Sequence, residues 1–254
     1  MRWLALLLGA LTGCDVVFGL DESPAPCGAA SFANAKPHDV VTAAHASVSW
    51  DRTRAIISVD ESPYEVDLPS GQPVPISIGP YSTFSLSLSP EGTSLLFSVE
   101  LEPPELYAAV RGKAETDWHV DTNAPVGTFA GVPSADVFGP RRVLVRMGAN
   151  GPLQEYEDDS GTWKPIGDRR DYAGEFAPNL APNGLTMVYR GTQDDGTPAI
   201  FEAGRASTSS WFGAPTVILA GEHSDPQLLD QCHSLYAVDA TDDVNTPMLR
   251  HYDL

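Results

Sequence analysis

Ser89-Pro90-Glu91-Gly92-Thr93-Ser94-Leu95-Leu96-Phe97-Ser98 is a four-residue turn that runs into a strand. Proline at the second position presets φ, the acidic residue bonds its own backbone, and glycine accepts a positive φ. Three more segments align with it without gaps: 49–58, 181–190 and 229–238. Their turns read Ser49-Trp50-Asp51-Arg52, Ala181-Pro182-Asn183-Gly184 and Leu229-Asp230-Gln231-Cys232. A shorter copy, 138–146, has lost one turn position and the acidic turn residue. The copies begin at residues 49, 89, 138, 181 and 229.

The flanks repeat too. Just before each turn stands Val48, Leu88, Val137, Leu180 or Leu228, and one residue earlier Ser47, Ser87, Asp136, Asn179 or Gln227. Apolar and polar columns alternate, which is the period of a strand. A third strand follows in every copy, at 64–68, 105–110, 153–156, 199–203 and 248–252. A fourth element follows Trp118, Trp163 and Trp211 in three copies; in the first, Pro73–Ile76 takes its place. The recurring tryptophans are expected to pack between repeats. Four strands every 40 to 50 residues is the period of a propeller blade.

The turn-plus-strand unit resembles the Ser-Pro-Asp-Gly-type repeats of TolB-like and WD-repeat-like bacterial β-propellers. Ser89–Gly92 and Ala181–Gly184 carry that resemblance best, and 181–219 resembles one whole repeat. The likeness covers 37–254. It implies an all-β fold, a β-propeller, and it leaves function open; the five copies give the expectation of five four-stranded blades. The last copy stops at Leu254 after its third strand. Residues 37–43 look like the missing fourth strand, and an open outer edge invites aggregation. This N-terminal strand is therefore expected to close the ring.

Composition agrees with short strands and turns. The 254 residues include 22 glycines and 22 prolines, with 42% hydrophobic content. Lys and Arg number 15 against 34 Asp and Glu, a net charge of −19. Phosphate backbones would be repelled, so nucleic acid is excluded as a partner. A protein partner should be neutral or basic, with association weakened by salt.

The N-terminus is an address. Met1-Arg2-Trp3 leads into a short apolar run that ends Leu11-Thr12-Gly13-Cys14. The run is too short to span a bilayer and fits a secretory signal peptide. Its ending resembles the bacterial lipobox, which implies cleavage before Cys14 and lipid on its thiol. Residues 1–13 are thus expected to be a signal peptide, 14–36 a lipidated tether and 37–254 the propeller. Cys27 and Cys232 then remain as a pair in an oxidising compartment, where a disulfide would staple the closing blade.

Motifs for chemistry are sparse. The six histidines show no metal-binding spacing, and no nucleotide-binding loop or nucleophile elbow is present. No cofactor or metal is expected. The innermost strands offer His45, Asp136 and Asp225 as candidates for a site in the central channel. Their neighbours are mostly small polar residues, which reads as a water-lined channel. The expectation is an exported, membrane-anchored lipoprotein of the bacterial cell envelope, facing the periplasm or exterior. Its propeller would bind an envelope protein or a glycan. The alternative is a carbohydrate-active hydrolase with carboxylates at the channel mouth, which needs two carboxylates about 5–9 Å apart.

Overall fold

A computed structural model describes residues 32–78, 83–89, 92–99, 105–112, 115–120, 127–128, 134–138, 142–146, 153–158, 163–170, 176–181, 184–230, 233–240 and 246–254. Cys14, Cys27 and Cys232 lie outside these residues, as do the signal segment and 14–31.

Strand β1 (Pro37–Thr42) precedes the first repeat. The first sheet then holds β2 (His45–Val48), β3 (Arg54–Val59), β4 (Ser62–Asp67) and β5 (Val74–Pro75). The second holds β6 (Thr83–Leu88), β7 (Ser94–Val99), β8 (Glu105–Val110), β9 (His119–Val120) and β10 (Gly127–Thr128). The third runs β11 (Ser134–Phe138), β12 (Arg142–Arg146), β13 (Leu153–Asp158) and β14 (Trp163–Arg170). The fourth runs β15 (Phe176–Leu180), β16 (Thr186–Thr192), β17 (Pro198–Gly204) and β18 (Thr216–Ala220). The last is β19 (His223–Leu229), β20 (Ser234–Asp239) and β21 (Met248–Asp253), with β1 as its outer strand. Every pairing among the described residues is antiparallel.

These sheets form an all-β propeller. The innermost strands pack in cyclic order, β2 on β6, β6 on β11, β11 on β15, β15 on β19, and β19 back on β2. The expected five four-stranded blades are not what is found. Four sheets among the described residues have four strands, and the sheet of β6–β10 has five. Its outer position is divided between two short strands. β9 pairs with Ala109 and Val110 of β8, and β10 with Glu105 and Leu106 at the other end.

The turns explain why the copies align. The N–H of the fourth turn residue bonds the carbonyl of the first: Arg52 to Ser49, Gly92 to Ser89, and Gly184 to Ala181. That fourth residue is left-handed, at φ 67° in Gly92 and 63° in Gly184. Arg52 holds the same conformation at φ 58° without being glycine. Its guanidinium reaches Ser234 Oγ at 3.1 Å and Asp230 at 3.2 Å on the last sheet, contacts that offset the backbone cost.

The core lies between blades. Ile56 of the first sheet packs with Leu95, Phe97 and Tyr107 of the second. Val48, Ile57 and Val66 pack with Leu229 and Val238 of the last. Each such side chain, fully buried, contributes about 1.5–3 kcal/mol. Phe32 joins this core. It sits in a short 3-10 turn (Phe32–Asn34), fully buried among Val188, Ile200, Ile218 and Leu235. Phe32 thus docks the end of the 14–36 segment through one aromatic side chain.

Both chain ends build the closing blade. In the β1–β21 register Pro37 faces Tyr252, Asp39 faces Arg250 and Thr42 faces Met248. Arg250 bridges three strands: Nε donates to Asp39 at 2.8 Å, and a terminal nitrogen donates to Asp239 on β20 at 2.5 Å. The Tyr252 hydroxyl donates to the same Asp239 oxygen at 3.2 Å. Asp239 is buried, whereas the Asp39 side chain is 61% exposed. Replacing Arg250 by Leu strands a buried carboxylate and should cost about 3 kcal/mol, as removal of one partner of a buried pair does. Asp39→Asn should cost under about 1 kcal/mol, since its half of the bridge is open to water. Urea denaturation of the two variants against wild type checks the contrast.

Candidate functional site

The inner strands decide what the channel can do. Ser47, Ser87 and Gln227 belong to the polar column before the turn, and all three are buried. Gln227 on β19 accepts from the Val48 N–H of β2 at 2.5 Å and donates through Nε2 to Ser47 Oγ at 2.9 Å. Ser47 in turn accepts from the Leu88 N–H of β6 at 2.8 Å. Gln227 and Ser47 thus each satisfy a backbone donor on the inner strand of the next blade. An unmet buried N–H there would cost about 1–3 kcal/mol. The water-lined channel expected from this column is therefore corrected: at these positions the polar groups fasten blade to blade.

Two of the three candidate channel residues come together. His45 opens β2, and Asp225 lies on β19, 180 residues away in sequence. His45 Nδ1 is 3.0 Å from Asp225 Oδ2. Asp225 takes φ 46° in a bulge between Ser224 and Gln227, a conformation that Asp tolerates better than most residues. The His45 side chain is 43% exposed and that of Asp225 17%. His45 starts its strand and pairs with Ser58 at the end of β3, so the pair sits at the end of the channel remote from the repeat turns. Asp136 stands on β11, facing Leu144 of β12, and β6 and β15 separate its strand from β2 and β19. Its side chain lies outside the described residues, as does the proposed Cys27–Cys232 bridge. Asp225 is the single carboxylate among the described inner-strand side chains.

A second constellation was missed by sequence reasoning. Arg111 follows β8, and its side chain is almost wholly buried. Its two terminal nitrogens donate to both Glu65 oxygens on β4 at 2.6 and 2.7 Å, and Nε donates to the Gly92 carbonyl at 3.2 Å. The guanidinium lies 4.3 Å from the centroid of the Trp118 ring. The fourth blade repeats the device. Arg205 donates to the Gly184 carbonyl at 2.7 Å, pairs with Glu155 on β13 at 3.1 Å, and lies 4.6 Å from the Phe212 ring. Each arginine ties its own turn glycine to a glutamate of the preceding blade. The signal in sequence is an arginine seven residues before an aromatic in two copies. The tryptophan alignment is corrected accordingly: Trp118 is level with Phe212, not Trp211, and the Trp163 side chain lies outside the described residues.

Beside the Arg111 clamp a cavity of about 760 Å³ opens between the first and second blades. Arg54, Asp67, Arg111, Asp117 and Trp118 line it. Arg54 begins β3 directly after the first turn, and the Arg111 N–H bonds Thr93 in the second. The cleft thus opens at the turn end of the blades, opposite His45 and Asp225. Among the described residues no group of three His, Cys, Asp or Glu gathers to hold a metal ion.

No protein-family model matches the chain, and no curated protein matches it in sequence. Solved structures match in fold. TolB from Acinetobacter baumannii superposes over 87% of this chain at TM-score 0.51 with 14% identity. This chain spans 55% of that TolB, little more than half its length. XC5397 from Xanthomonas campestris, described as a gluconolactonase, gives TM-score 0.53 and 13% identity over 82% of this chain and 71% of its own. An auxiliary nutrient binding protein from Bacteroides thetaiotaomicron gives TM-score 0.52 and 10% identity over 79% of this chain and 53% of its own. These likenesses establish the propeller fold.

The His45–Asp225 pair makes a statement about pH. The hydrogen bond to Asp225, then its charge, raises the His45 pKa above its ordinary 6.5. A raised folded-state pKa means that the pair stabilises fully below pH 6.5 and loses its effect as pH rises through the folded value. Burial acts oppositely on His223 and lowers its pKa, so that side chain favours the fold above 6.5 and opposes it on acidification. In an NMR titration the His45 ring should titrate above 6.5 and fall back toward it in Asp225→Asn. A His45 midpoint unmoved by that substitution would separate the two residues.

Proposed function

We propose that this chain is an exported lipoprotein of the bacterial cell envelope, anchored through lipid on Cys14, whose propeller binds a protein or glycan. One observation carries the binding role. Polar side chains of the inner strands, Ser47 and Gln227, are engaged in hydrogen bonds between blades. The ring is then a rigid frame, and its loops and clefts are left to make contacts, as loops on rigid scaffolds generally do. We count the five-stranded sheet as a fifth blade with a broken outer strand. Cys27 and Cys232 are assigned to one disulfide on the closing blade.

The address at Leu11-Thr12-Gly13-Cys14 supports the anchor. Acyl chains contribute about 0.8 kcal/mol per buried CH₂, and more than one chain gives stable anchoring. The likeness in fold to an auxiliary nutrient binding protein supports the binding reading. Carboxylate-pair hydrolysis draws less support, because Asp225 is engaged with His45 and no second carboxylate is described beside it. With a net charge of −19, the partner surface is neutral or basic.

Intact-mass analysis of protein extracted from membranes should give a chain that starts at Cys14 and carries acyl mass. Cys14→Ser should move the protein out of the membrane fraction or leave it unprocessed. An unacylated wild-type chain cut elsewhere contradicts the anchor. Turnover of a glycan or ester substrate by wild type, lost in an Asp136→Asn, Asp225→Asn double variant, would replace binding by hydrolysis.

A further inference from the structure

Three of the chain's six histidines gather where β1 meets the last blade. His38 on β1 stands directly opposite His251 on β21, with the ring centroids 6.5 Å apart. The third, His223, opens β19 in the same sheet and faces Asp239 of β20. Asp239 is the carboxylate that holds Arg250, and Arg250 also holds Asp39 of β1. One histidine pair thus lies across the β1–β21 ladder, and one histidine lies behind the ion bridge that fastens it.

Neutral rings suit this arrangement and charged rings do not. His223 is 5% exposed. Its Nε2 lies 3.2 Å from the Ala220 carbonyl, which assigns the proton of the neutral ring to that nitrogen. Nδ1 is left bare and without a hydrogen-bond partner, 3.7 Å from Asp239 Oδ2. That oxygen already accepts from Arg250 and from the Tyr252 hydroxyl. A proton on Nδ1 sets a second buried cation beside the Arg250 guanidinium, and both then compete for one carboxylate oxygen. Glu222, the neighbouring carboxylate, is half-exposed and paired with Arg190 of β16. At the ladder, the His251 ring stacks on Tyr236 of β20 at 4.4 Å and has Asp253 at 2.9 Å, with the charge of Arg52 acting against its protonation. His38 acts against it too, from directly across the ladder. Like charges placed opposite each other in a sheet are destabilising.

Burial lowers the pKa of both His223 and His251 below the ordinary 6.5. The penalty therefore sets in as pH falls through 6.5 and is complete below the folded values. The His45–Asp225 contact between β2 and β19 responds in the opposite sense and holds better in acid. Acid thus keeps the inner strand of the last blade fastened to the first blade while it loosens the outer one.

We propose that the β1–β21 joint is an acid-sensitive latch, in which protonation of His38, His251 and His223 frees β1 from the ring and bares the edge of β21. The latch is independent of what the propeller binds.

Hydrogen exchange of the full-length protein in detergent, at pH 7.5 and 5.0 and corrected for the intrinsic rate, reads the latch strand by strand. Both values lie above the ordinary carboxylate pKa of about 4, so histidine side chains carry the change in charge. Protection of β1 amides should fall in acid by roughly fivefold or more relative to that of β20. His38→Gln, on the exposed edge, should lessen the fall. Adding His223→Gln, which keeps an amide donor for the Ala220 carbonyl, should lessen it further. A ratio of β1 to β20 protection that does not change with pH overturns the proposal, and so does a fall that His38→Gln leaves whole. That single variant decides the matter even if the double variant does not fold.

Discussion

Pairing of β1 with β21 is the constraint on which the ring depends. Without β1 the last sheet keeps three strands and exposes the edge of β21. Bringing the two chain ends together closes a loop of about 200 residues, an entropy cost on the order of 5 kcal/mol by the logarithmic loop law. The return comes from the ladder between Pro37–Thr42 and Met248–Asp253 and from Arg250, which grips Asp39 on one side and Asp239 on the other. Phe32, buried against β18 just upstream, holds the start of that segment in place. Contacts so distant in sequence form late in folding, because closure must be met before they contribute.

Between blades the structure uses two further fasteners. Near the axis, Ser47 and Gln227 answer backbone N–H groups that the sheets leave unpaired on their inner edge. Farther out, Arg111 and Arg205 join a turn carbonyl to a glutamate of the preceding blade, nearly excluded from water. Buried pairs of this kind are weak sources of net stability but are costly to break, so they fix register between neighbours. This division of labour bears on function. Groups that might have served chemistry near the axis serve assembly instead.

Much of the architecture was legible in the chain. Turns such as Ser89–Gly92 carry their φ preferences in their residue types, and the strands that follow announce themselves by composition. The role of 37–43 followed from a missing strand at the other end. What escaped has physical causes. A serine or glutamine on an inner strand looks the same in sequence whether it meets water or the N–H of the next blade, so the Ser47 column read as channel lining. Glu65 and Arg111 are 46 residues apart and belong to different repeats, so no local pattern joins them. Trp211 masked the equivalence of Trp118 with Phe212 because it stands one residue too early. The split outer position of β9 and β10 escaped because the two short strands pair with opposite ends of β8, which no local pattern announces. His45 and Asp225 were both singled out, but their union depends on a bulge at Asp225 that no spacing reveals.

Native-state hydrogen exchange measures the closure most directly. If β1 is an integral strand of the ring, its amides share the protection of β20 and β21 and exchange with them in one cooperative unit. Matched protection across β1, β20 and β21 is the expected result. Amides of β1 that exchange orders of magnitude faster than those of β21 would show a loosely attached end and would contradict the closed ring.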